Sequence, residues 1–159
     1  MSLAVVKTRA RLGIHAPLVT VEVHLSNGLP ALNMVGLPET AVKESKDRVR
    51  SAILNSHFEF PARRITINLA PADLPKEGSR FDLAIAMGIL AASEQIPREA
   101  LDEYEFLGEL ALTGEVRPVQ GTLPAALSGL DEARLADKDP VTLMVPSANG
   151  NEANLPSDA

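Results

Sequence analysis

A chain of 159 residues with 45% apolar and 23% charged side chains has the size and composition of one globular domain, and no apolar run approaches the ~20 residues that a membrane-crossing helix requires. The absence of cysteine excludes disulfides and, with no cationic, apolar leader, makes a cytoplasmic setting the expectation. A net charge of −6 argues against a freestanding nucleic-acid binder, which draws its affinity from Lys and Arg neutralising phosphates, and four Phe, one Tyr and no Trp are too few for a base-stacking platform.

The charge is unevenly spread. Residues 1–64 carry nine Lys and Arg against five Asp and Glu, whereas residues 65–159 carry six against sixteen, a balance of +4 and −10. A basic face and a helix of mixed, solvated charge are both compatible with that count.

The segment from Leu3 to about Arg11 reads as extended, and the stretch LVTVEVHL at 18–25 alternates strictly, with Val19, Val21, Val23 and Leu25 on one face. A third short strand, in LPALNMVGLP, is closed by Gly36 and Pro38, so the chain is expected to open as a small antiparallel sheet. From Glu39 to Ser56 the spacing of Val42, Val49, Ala52 and Ile53 predicts an amphipathic helix. Lys43, Lys46, Asp47 and Arg50 fill its polar side, and Glu39 and Glu44 favour the positive end of its dipole. RITINLAP at 64–71 predicts a strand that buries Ile65, Ile67 and Leu69. Residues 80–93 are apolar nearly all round, the pattern of a core helix. EFLGELALTGEVRPV predicts a hairpin turning at Thr113-Gly114, followed by a helix at about 122–136, a strand at 141–145 and a polar tail.

The loop ahead of the core helix admits three readings. Ser79 followed three residues later by Asp82 fits a capping box, which needs no function beyond holding a helix end. Gly78 at a helix N-terminus, with Lys76 and Arg80 beside it, fits a cradle for an anion. Ser79 could also be a nucleophile, which requires a histidine or a lysine of lowered pKa to take its proton. His15, His24 and His57 lie in unpromising sequence contexts and show no metal-ligand spacing. No Walker A string occurs in the chain, so ATP binding by these residues is not expected.

Three stretches, NGLPALNMVGLPETAVKESKDRVRSAI, ITINLAPADLPKEGSRFDLAIA and EFLGELALTGEVRPV, resemble the amino-terminal domain of the bacterial magnesium-chelatase-like AAA+ ATPases, the group that includes the competence protein ComM. The resemblance runs from Met1 to at least Val119. It implies an α/β fold similar to the proteolytic domain of Lon and to the second domain of a small-subunit ribosomal protein, with a mixed sheet packed with helices. A Lon-protease-like, non-catalytic domain at 1–146 would then be followed by a polar tail at 147–159 leading toward an AAA+ module. Lon-type proteases use a serine and a lysine. Laid over the Lon motif, the nucleophile slot falls on Arg80, with Ser79 one place early, and the position of the base falls on Leu123, between Thr122 and Pro124. No lysine occurs from Glu77 through Asp137, so no peptidase activity is expected.

The resemblance further implies that ATP and Mg are bound by the AAA+ module, in hexameric rings that drive DNA branch migration in recombination or natural transformation. The expected partners are that module, neighbouring subunits and possible DNA, with no membrane. Candidate DNA or anion contacts are Lys76 and Arg80 at the helix start and Lys43, Lys46 and Arg50 on the first helix, all to phosphates. A purely structural interaction module and a degenerate serine hydrolase are the competing readings. Metal insertion into a porphyrin finds no ligand cluster to support it.

Overall fold

The computed structural model describes residues 2–158. Strands β1 (Leu3–Arg9) and β2 (Leu18–Ser26) pair antiparallel, with Val6 opposite Val21 and Thr8 opposite Val19. Strand alternation puts Val19, Val21, Val23 and Leu25 on one buried face, as the sequence pattern predicts, and leaves Glu22 and His24 exposed on the other.

The third strand departs from the expected antiparallel sheet. β3 (Ala31–Val35) leads into α1 (Glu39–Asn55) and then β4 (Arg64–Ala70), and β4 inserts between β2 and β3, antiparallel to the first and parallel to the second. Burial explains the order. β3 buries only Met34, which suits an edge, whereas β4 buries Ile65, Ile67 and Leu69 completely and belongs inside the sheet.

Helix α2 (Asp82–Ala92) lies across β1 and β2 with α1 beside it. Its apolar surface is used on nearly every side, including Ala84, Ile85, Ile89 and Ala91. Gly88 lets it settle close to the sheet, since a Cβ there would stand 2.6 Å from a Val23 methyl.

β5 (Tyr104–Phe106) and β8 (Thr142–Met144) complete a six-stranded sheet in the order β3-β4-β2-β1-β5-β8. The pairings make β2 the one strand that runs against the other five. The stretch expected to be one hairpin therefore serves two sheets: β5 joins the main one, and β6 (Glu109–Leu110) and β7 (Val116–Arg117) pair separately around the Thr113-Gly114 turn. The fold is α/β with a mixed sheet packed with helices.

Helix α3 (Thr122–Leu135) covers the β5 end, where Ala16, Leu107 and Ala125 form a small second core. Arg9 ties it down, pairing with Glu105 at 2.6 Å and with Glu132 of α3. Burial disfavours the Arg9 charge, but the two carboxylates outweigh it and hold the pKa above its ordinary value. The residues read as a polar tail form short helical turns, including α4 (Gly150–Asn154). Asn149 fastens them by accepting the Val119 N–H at 2.9 Å and donating to the Val119 carbonyl at 3.0 Å. No described helix is long and apolar enough to cross a membrane.

Candidate functional site

Because five strands share one direction, the carboxyl ends of β1 and β4 open on the same side of the sheet, the position where open α/β sheets bind ligands. There the loops after β1, after β4 and before α3 enclose a cleft of about 400 Å³, walled by Arg11, by residues 77–80 and by residues 118–120. Gly78 has φ +78°, a left-handed conformation that suits glycine. A Cβ on Gly121 would lie 3.2 Å from the Arg11 side chain, so glycine there leaves room for the Arg11 stem.

Lys76 is not the surface cation that the sequence suggests. Its side chain is buried, with the residue 3% exposed, and its ammonium donates to the carbonyls of Pro71 at 2.5 Å and Leu74 at 3.0 Å. Burial lowers its pKa, and Asp73 opposes the shift. The lysine thus holds the loop after β4 together.

The expected capping box does not form. Neither Ser79 nor Asp82 caps α2: Phe81 is the N-cap, with no side-chain cap bond. The Ser79 hydroxyl donates to the Glu109 carboxylate instead. Asp82 is 1% exposed and accepts from Ser45 Oγ at 2.7 Å, Arg48 Nε at 2.6 Å and the Leu110 N–H at 3.1 Å. Burial pushes this carboxyl up, and those three donors pull part of the way back. The Arg48 pKa is raised, above all by its hydrogen bond to Asp82, so the two form an ion pair. Partners on α1 and β6 have displaced the local cap.

Arg80 is 7% exposed, and its Nε and Nη1 donate to the carbonyls of Arg9 at 3.1 Å and Gln120 at 3.0 Å. Its Nη2 is buried and has no hydrogen-bond partner. Burial and the neighbouring Arg11 charge lower its pKa. Arg11, which the sequence reading missed, donates to the Gln120 side chain at 2.8 Å. The KTRAR run at 7–11 held the only signal, because its alternating cations straddle the end of β1. The other buried side-chain polar atom without a partner among the described residues is Thr122 Oγ1, two residues beyond Gln120.

The remaining expected contacts lie elsewhere. Lys46 and Arg50 wall a second cleft of about 340 Å³ with Phe60 and Arg63, next to the first residue of β3. This is the opposite end of the sheet from Arg80, because β1, β3 and β4 run in parallel directions. The Arg50 guanidinium sits 5.3 Å over the Phe60 ring, a cation–π contact, and Lys43 is exposed on α1. The five cations therefore form no single patch. Phe60 and Arg63 follow Arg50 by ten or more residues and lie beyond the end of the helix, so helical spacing could not associate them with it. Among the described residues, no group of three or more His, Asp or Glu could hold a metal.

The sequence matches the family model for subunit ChlI of Mg-chelatase over residues 21–149. It is 58% identical over 158 residues to competence protein ComM of Haemophilus influenzae, covering 99% of this chain and 30% of that protein. It is 63% identical over 134 residues to the uncharacterised protein YifB of Escherichia coli, covering 84% of this chain and 26% of that one. A protein of Mycobacterium bovis is 42% identical over 143 residues, 90% of this chain and 27% of its own length. The chain thus spans under a third of the length of these relatives. With the subunit model matching most of its length and two such relatives above half identity, the chain belongs to the magnesium-chelatase-like family, in the group of ComM and YifB.

Proposed function

We propose that the chain is the non-catalytic, Lon-protease-like amino-terminal domain of a cytoplasmic AAA+ ATPase that acts on DNA in recombination or natural transformation. Its work is ring assembly, as a hexamer, and guidance of DNA through phosphate contacts. ATP and Mg belong to the AAA+ module, because the sequence has no Walker A loop to cradle a triphosphate.

The observation that carries the DNA reading is the cation cluster beside α1. Lys43 and Arg50 are exposed, Lys46 is partly so, and Arg63 and Phe60 join Lys46 and Arg50 around one cleft whose single carboxylate, Asp47, leaves its wall net positive. Such a group neutralises phosphates without reading bases. The non-catalytic reading is supported by what occupies the dyad positions: Arg80 and the 120–123 segment are brought together by the Arg80 bond to the Gln120 carbonyl, and neither supplies a base. Lys76, the lysine nearest Ser79 in sequence, has its ammonium bonded to two carbonyls.

The test is DNA affinity of the full-length ATPase at two salt concentrations, with and without the paired substitutions Lys46→Glu and Arg50→Glu. The reading expects weaker binding and a shallower salt dependence in the variant. Unchanged affinity and slope would leave a structural interaction module as the better description.

A further inference from the structure

We propose that the cleft between Arg11 and Arg80 is a binding site for a single phosphoryl group, carried as a phosphomonoester or as inorganic phosphate. The proposal stands apart from the DNA reading, which uses the other end of the sheet.

A guanidinium withdrawn from water needs acceptors for its donors and a counter-charge. Arg80 has two carbonyls, an Nη2 with no partner, and no carboxylate within ion-pair distance among the described residues. The nearby charge of Arg11 is of the same sign. Two like charges are therefore held together at the wall of an open cleft, neither of them in an ion pair among the described residues. An oxyanion in that cleft supplies the missing charge.

The rest of the wall suits the same ligand. The main-chain N–H groups of Gly78, Ser79 and Arg80 donate to no other described residue. They lie just ahead of the N-terminus of α2, whose dipole favours negative charge. Glu77 is the one carboxylate in the wall and is exposed to solvent, so it reduces the attraction without neutralising Arg80. A terminal phosphoryl group can project its oxygens toward a buried guanidinium.

The chain would be titrated at low salt with inorganic phosphate, adenosine 5′-monophosphate, and a single-stranded oligonucleotide bearing either a 5′-phosphate or a 5′-hydroxyl. Calorimetry reads the affinity, and a cooperative thermal melt checks folding. Saturable binding of at least one phosphoryl probe is expected, and which one binds tightest identifies the source. The 5′-hydroxyl oligonucleotide should bind more weakly than its phosphorylated twin wherever the oligonucleotide binds. Arg11→Gln should weaken binding about tenfold, the loss of one charge-assisted contact, and Glu77→Gln should strengthen it. Arg11 is exposed, so its substitution tests the site even if Arg80 variants fail to fold. No saturation by any probe up to roughly 10 mM, or equal affinities in the wild type and Arg11→Gln, would overturn the proposal.

Discussion

Arg48 Nε donates to Asp82 Oδ2 at 2.6 Å, so a part-exposed residue of α1 compensates a carboxylate buried in the first turn of α2. The same carboxylate receives Ser45 of α1 and the Leu110 amide of β6, so one side chain joins three elements around the cleft loop. Asp82→Ala strands the buried Leu110 amide and leaves Arg48 with Glu44, 3.7 Å away, as its remaining carboxylate. A loss of about 1–3 kcal/mol is expected in urea denaturation, the range for leaving a buried donor unsatisfied. A loss below ~1 kcal/mol would show that the junction is held by apolar packing alone.

Gly36 closes β3 with φ +96°, and a Cβ on it would stand 2.3 Å from the Leu69 carbonyl oxygen. Backbone cannot yield as a flexible side chain can. Gly13 also has a positive φ, +61°, but nothing lies within 4 Å of its would-be Cβ. Gly13→Ala should therefore cost only the conformational penalty of about 1–2 kcal/mol, and Gly36→Ala distinctly more. Equal melting temperatures for the two variants would contradict this.

The buried Lys76 ammonium makes stability depend on alkaline pH. Its folded pKa is lowered, first by burial, so between that value and the ordinary one the unfolded chain binds more protons than the folded chain. Stability relative to Lys76→Met should then rise as pH climbs through the window just below the ordinary lysine value. A difference between the two proteins that is flat or falling across that window would mean that the carbonyl contacts outweigh the burial.

Ser79 has its hydroxyl directed to the Glu109 carboxylate, and the described residues place no amine beside it. A serine-reactive phosphonate should leave the wild type unlabelled, and Ser79→Ala should match the wild type in showing no peptide cleavage. Labelling at Ser79, with cleavage abolished by Ser79→Ala, would restore the hydrolase reading.

Much of the secondary structure was legible from local pattern. The alternation at 18–25 and 64–70 and the helical spacing at 39–56 predicted which side chains face the core, because those periodicities depend only on neighbours a few positions away. The strand order was not legible: nothing local says that β4 separates β2 from β3. Burial in the folded chain accounts for it, with three enclosed side chains on β4 against one on β3.

The candidate site divides in the same way. Its raw materials were visible in LPKEGSRFD, and the resemblance pointed to the family that the relatives bear out. The role of each residue was decided elsewhere. Lys76 turned inward to two carbonyls, Ser79 and Asp82 took partners 28 or more positions away, and Arg11 entered the cleft from the end of β1. Sequence alone therefore determined the periodic burial and the chemical inventory, and only the tertiary structure decided which polar groups meet. The reason is physical: a buried donor or charge takes whichever acceptor the packing brings within about 3 Å, and that distance is set by elements far apart along the chain.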